Sequence, residues 1–289
     1  MRATILTRLR TAAPARGDAL LARVLSALVG VPVILGLIHL GGVAYALAAA
    51  AVLCAASLEL TGALYGSGRG PLRVWGQPAP AYLALAIMGL LTAAAHHGAD
   101  RWAGALTLSV ALSLLWALRR PRPVEALSLW LPLVATVAYL GLLGGHLVLL
   151  RRLPDGRELT LLAVFGAFAV DTAAYMVGRT VGRRKLAPHL SPGKTWEGTL
   201  GGLGLGSLVI VFINWATGLR LSTGEIAVLA PLMAMAATLG DLCESFLKRG
   251  AGVKDASTAI PGHGGFLDRL DSVLFVVPLV YYWRLLVSG

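Results

Sequence analysis

The last quarter of the chain carries the residues whose types and spacing are best suited to chemistry. Asp268 and Asp271 are three residues apart at the expected start of a helix, so their side chains point the same way. Cations, glycines and a histidine precede them: Lys248, Arg249, Lys254, His263, Gly264 and Gly265. Cations and glycine-rich backbone bind phosphates, and paired carboxylates bind Mg²⁺, so this combination predicts phosphoryl or nucleotidyl transfer. Simple complementation of a helix dipole is the weaker interpretation.

Further carboxylates fall inside apolar stretches, where a charged side chain is costly and by default marks a site. Asp171 and Tyr175 are four residues apart and share one helix face. Asp171 lies about 10 Å below the end of its helix, and Asp241 lies at a comparable depth below Lys248, with Glu244 one turn further along. Carboxylates at matched depth on separate helices predict a shared cation; the alternative is a pair of separate helix–helix hydrogen bonds.

The segment from Ser191 to Glu197 resembles the end of a P-loop, but that motif is excluded. Pro188 stands where the first glycine is needed, and no strand pattern precedes the segment. What remains predicts a Ser-Pro helix start at which Lys194, next to Thr195, binds a phosphate in the headgroup region. A plain helix cap with a snorkelling lysine is the alternative.

The elements that position these residues are membrane helices. The chain has 289 residues, of which 57% are apolar and 13% charged, and a mean hydropathy of +0.75, far from soluble proteins. We therefore expect an all-α, polytopic membrane protein, and the net charge of +11 does not indicate nucleic-acid binding. Windows of suitable length predict nine spans, approximately 24–40, 43–64, 79–96, 102–118, 129–150, 159–178, 198–218, 225–247 and 267–287.

The distribution of positive charge predicts the orientation of the spans. With the N-terminus inside, 19 of the 25 Lys and Arg residues fall on the cytoplasmic side and six on the other. We expect a protein of the inner cell membrane whose N-terminus and two long loops, 179–197 and 248–266, are cytoplasmic. A basic segment (1–23) precedes a scaffold half (24–150), in which Glu59 is the notable acid, and a catalytic half (151–289).

Residues 245–271 read SFLKRGAGVKDASTAIPGHGGFLDRLD. This run resembles the signature of the phosphatidate cytidylyltransferases, also called CDP-diglyceride synthases, without a mismatch over its 27 positions. Further segments resemble the same family, around Asp171, Ser191 to Gly198 and Asp241. Ala173, Gly193 and Cys243 depart from residues that many members have, and the clear similarity covers roughly residues 170–275.

The resemblance implies transfer of CMP from CTP to phosphatidic acid, which forms CDP-diacylglycerol and pyrophosphate with Mg²⁺, in phospholipid biosynthesis. It implies metal ligation by Asp241, Asp268 and Asp271, with Asp171 and Glu244 as further ligands, and a second, monovalent cation as an option. Lys248, Arg249, Lys254 and His263 would hold the triphosphate, and Lys194 the lipid phosphate. The other substrate-binding candidates are Tyr175, Ser191, Thr195, Gly264, Gly265 and Arg269. A homodimer is expected.

Two other functions remain open at this point. A related enzyme acting on an isoprenoid lipid phosphate or a polyprenol would have the same nucleotide-binding loop, 248–266, and a different groove for the lipid. An ion-coupled transporter would also place carboxylates in broken helices, but it needs no cationic cluster at the surface, and no inverted repeat is evident.

Overall fold

The computed structural model describes residues 16–66, 79–219, 221–254, 257, 259 and 264–288. Over these residues the chain forms nine continuous helical stretches and one β-hairpin. Most of the predicted basic segment at 1–23 lies outside the described residues. So does His263 of the Gly-His-Gly-Gly segment 262–265, which we call the glycine loop. The helices are α1 (Arg16–Leu40), α2 (Gly42–Gly66), α3 (Ala79–His97), α4 (Ala99–Ala117), α5 (Pro123–Thr136), α6 (Leu143–Arg151), α7 (Gly156–Val181), α8 (Trp196–Gly201), α9 (Ser207–Thr217), α10 (Thr223–Gly250) and α11 (Leu267–Ser288).

Two short π-helical segments interrupt the longer stretches. Val137–Leu142 joins α5 to α6, and Gly202–Gly206 joins α8 to α9, so that each set forms one continuous helical rod. Among the described residues, seven stretches are long and apolar enough to cross a membrane, and the apolar part of α1, Ala27–Leu40, is shorter. The helical membrane class is confirmed, while the count of nine spans stays a prediction.

The two halves share one buried hydrophobic core. Leu53 and Leu140 of the first half, and Leu162 and Val277 of the second, belong to the same buried cluster and are at most 1% exposed. Burial of this kind fixes the relative placement of helices that are far apart in sequence.

Small residues bring α8 and the following π segment against α7. A Cβ atom at Gly198 would lie 3.0 Å from the Cα atom of Gly178, and one at Gly206 would lie 2.9 Å from the Cα atom of Val170. Gly198, Gly202 and Gly206 lie at every fourth position and thus form a close packing face against α7.

The predicted helix start at Ser191-Pro192 is wrong. Ser191–Thr195 is strand β2, which pairs antiparallel with strand β1 (Lys185–Ala187). The helix begins only at Trp196, where the Thr195 hydroxyl accepts a hydrogen bond from the Gly198 N–H group at 3.1 Å. The backbone groups of Ser191–Thr195 are hydrogen-bonded to β1 instead of to a helical turn. The Ser-Pro pair is a local signal and carries no information on this strand pairing.

Candidate active site

Three carboxylates converge where α10 packs against α11. Ligand oxygens of Asp241, Glu244 and Asp271 all lie within 4.8 Å of one another. Asp241 and Glu244 share a face of α10 because they are three residues apart. The close approach of α11 depends on Gly240, since a Cβ atom there would collide with the Asp271 carbonyl oxygen. We call Asp241, Glu244 and Asp271 the acidic cluster.

Asp171 of α7 extends this cluster. Its carboxylate interacts electrostatically with Asp241 and lies beside Ser272 of α11. Asp271 in turn lies near both Asp241 and Asp171. The carboxylates that the sequence places at matched depth on α7 and α10 are therefore brought together.

The acidic cluster has the donor set that suits a hard divalent cation. Glu244 is only 1% exposed, and its Oε1 atom has no hydrogen-bond partner among the described residues. Buried like charges repel one another, and carboxylate oxygens are the ligands that Mg²⁺ prefers. The residues present therefore fit a metal ion.

Lys248 links the cluster to the start of α11. Its Nζ atom lies 2.8 Å from Glu244 Oε2 and 2.7 Å from Asp268 Oδ1. The other oxygen of Asp268 accepts a hydrogen bond from the Gly265 N–H group at 2.9 Å. Gly264 has a φ of +84°, which favours glycine, so the loop can bend tightly against Asp268. Asp268 thus holds a lysine and the glycine loop, and its carboxyl group lies within hydrogen-bond reach of that of Glu244.

A second cationic position lies on the α7 side of the cluster. Lys194 Nζ lies 2.7 Å from Asp241 Oδ2, and the lysine projects from β2. Both residues line a cavity of about 450 Å³ between the hairpin, α7 and α10. Other polar residues of its lining are Asp171, Tyr175, Arg179, Ser191, Thr195, Thr199 and Thr238. The cavity therefore joins a cationic wall to the acidic cluster.

The remaining predicted site residues lie around this centre. Arg249 donates from Nε to the Leu190 carbonyl oxygen at 3.2 Å, which ties the end of α10 to the hairpin. Lys254 is exposed. Arg269 is exposed and acts electrostatically on Asp171 and Asp271.

Glu59 of α2 is the main site residue that sequence reasoning assigned to the scaffold. Its carboxylate accepts hydrogen bonds from the N–H groups of Phe266 and Leu267 at 3.1 and 2.8 Å, and from the Ser257 hydroxyl at 2.7 Å. A Cβ atom at Gly265 would also collide with this carboxylate. In the sequence, Glu59 is an isolated acidic residue among apolar ones. That pattern does not predict which residues its carboxylate contacts.

Comparison with known proteins identifies the family. The model of the Cytidylyltransferase family matches residues 21–287. The chain belongs to the cytidylyltransferase family.

Curated relatives of this cytidylyltransferase carry the name phosphatidate cytidylyltransferase. The protein of Haemophilus influenzae is 47% identical over 134 residues, which are 44% of this chain and 46% of the relative. That of Synechocystis is 47% identical over 135 residues, 46% of this chain and 45% of the relative. That of Staphylococcus saprophyticus is 39% identical over 150 residues, which are 50% of this chain and 55% of the relative. The chain spans about half the length of the curated relatives it matches.

Proposed function

We propose that this cytidylyltransferase transfers CMP from CTP to phosphatidic acid, forming CDP-diacylglycerol and releasing pyrophosphate. One observation carries the proposal: the 2.7 Å pairing of Lys194 with Asp241 joins a cavity between helices to a three-carboxylate cluster. A lipid phosphate in the cavity would then lie beside the group that handles the nucleotide phosphates. The names of the relatives support this choice of substrates.

Each part of the site has a distinct role in this proposal. Lys248, Arg249 and Lys254 hold the triphosphate through charge-assisted hydrogen bonds. Lys194 receives the lipid phosphate, whose oxygen attacks the α-phosphorus of CTP in line with the departing pyrophosphate. A phosphate monoester is already a competent nucleophile, so the site needs no strong base to activate it.

Mg²⁺ would be held by Asp241, Glu244 and Asp271, and it supplies positive charge against the charge that develops on the phosphate oxygens. Asp268 positions Lys248 beside that charge, through the ion pair at 2.7 Å. Asp171 adds a fourth carboxylate, which could help to hold a second, monovalent cation.

The enzyme would lie in the inner cell membrane. The charge bias of the loops supports an inner-membrane protein with the N-terminus and the active-site loops in the cytoplasm, where CTP is available. Phosphatidic acid would enter sideways from the inner leaflet. We propose a homodimer as the assembled form.

The test is pyrophosphate release from CTP by purified protein in detergent. Release that needs phosphatidic acid and Mg²⁺ together is the expected result. Release only with an isoprenoid phosphate would overturn the lipid assignment, and no release with either lipid would overturn the transferase proposal. A Lys185→Met variant, altered on β1 outside the cavity lining, should behave like the parent protein.

A further inference from the structure

Tyr139 occupies an unusual position in the first half of the chain. It lies on the π-helical segment Val137–Leu142, in the middle of the rod formed by α5 and α6. The side chain is 8% exposed, and its hydroxyl is buried without a hydrogen-bond partner among the described residues. Buried hydroxyls are normally paired, and π-helical segments occur frequently at functional sites.

The surroundings of this hydroxyl point to a ligand. The carboxylates of Asp271, Glu244 and Asp241, and the thiol of Cys243, lie near this hydroxyl. The Oε1 atom of Glu244 is also buried without a hydrogen-bond partner among the described residues. A hydroxyl that can donate and a carboxylate oxygen that can accept therefore occur at the same cluster. A phenol hydroxyl can donate to a carboxylate or to a water molecule bound there.

Another tyrosine of the same half shows what a purely structural hydroxyl does here. Tyr65 donates its hydroxyl to the Leu129 carbonyl oxygen at 2.5 Å, and so ties α2 to α5. Tyr139 makes no such helix-to-helix bond among the described residues. The two side chains therefore form a matched pair for experiment.

We propose that Tyr139 is a positioning residue for the acidic cluster, donating a hydrogen bond to the oxygen shell of the cation held by Asp271 and Glu244. This inference rests on the proposed metal-dependent function. The first half of the chain would then contribute a residue to the site, from the π-helical segment Val137–Leu142. Partners that orient metal ligands typically contribute about 10- to 100-fold in metal affinity or activity.

The experiment compares Tyr139→Phe and Tyr65→Phe by thermal unfolding in detergent, with Mg²⁺ alone as the titrant and no substrates. Tyr139→Phe should unfold at or above the parent temperature without metal, because its hydroxyl has no protein partner to lose. The Mg²⁺ concentration that gives half of the metal-induced stabilisation should rise about 10-fold. Tyr65→Phe should unfold at a lower temperature and keep the parent response to Mg²⁺.

The outcomes separate the inference from the function on which it rests. A parent protein that Mg²⁺ stabilises, together with an unchanged response in Tyr139→Phe, would overturn the role of Tyr139 alone. A parent protein with no response to Mg²⁺ would overturn both the metal site and this inference. A shifted response in a protein that releases no pyrophosphate would support the positioning role and overturn the transferase proposal.

Discussion

The carboxylate of Glu59 accepts a hydrogen bond from the N–H group of Leu267 at 2.8 Å, across 208 positions of sequence. Leu267 is the first residue of α11, where unpaired backbone N–H groups and the helix dipole favour a negative charge. The same carboxylate accepts from Phe266 and Ser257. One side chain of the first half therefore fixes the backbone that presents Asp268 and Asp271.

Glu59→Gln should reduce both stability and turnover. The amide retains one acceptor oxygen but presents an NH₂ group to backbone donors, and it removes the charge that faces the helix start. We expect the free energy of unfolding to fall by about 1.5–3 kcal/mol, measured by thermal or chemical unfolding in detergent, with a parallel loss of pyrophosphate release. Glu125→Gln is the control, because its carboxylate is exposed and pairs with Arg122 on the surface. Equal stability and equal turnover in the two variants would show that Glu59 does not stabilise the start of α11.

Asp268→Asn should abolish turnover while the protein still folds and inserts into membranes. The substitution keeps the shape and an acceptor oxygen for Gly265 but removes the charge that holds Lys248 at 2.7 Å. We expect turnover to fall by roughly 100-fold or more, measured as pyrophosphate release at saturating CTP. Asp155→Asn, at an exposed position that pairs with Arg284 at 3.4 Å, should retain parent activity. Retained activity in Asp268→Asn would remove this residue from the catalytic machinery.

The order of helices and the meeting of the acids were predictable from sequence for physical reasons. Apolar length marks membrane helices, and rise per residue places Asp171 and Asp241 at one depth. The β-hairpin and the contacts of Glu59 and Tyr139 were not predictable in this way. Each depends on which segments pack together across long stretches of chain, and hydropathy carries no information on that pairing.

Lys194→Met should raise the requirement for phosphatidic acid more than the requirement for CTP. The ammonium group lies in the cavity wall against Asp241, and methionine fills similar space without the charge. We expect the half-saturating concentration of phosphatidic acid to rise about 10-fold, which corresponds to ~1.4 kcal/mol of binding free energy. Initial rates over a grid of both substrates measure this. A larger effect on CTP would reassign Lys194 to the nucleotide.

Gly240→Ala should separate α10 from α11 and disrupt the acidic cluster without changing any charged residue. The new methyl group would collide with the Asp271 carbonyl oxygen, and backbone cannot rotate away as a flexible side chain can. Overpacking of this kind costs about 1–3 kcal/mol, and the displaced carboxylates should require more Mg²⁺ for half-maximal pyrophosphate release. Gly224→Ala on the same helix is the matched control, because a Cβ atom there meets nothing within 4 Å. That control should keep the parent Mg²⁺ dependence. Parent-like Mg²⁺ dependence in Gly240→Ala would mean that the closeness of the two helices does not set the geometry of the carboxylates.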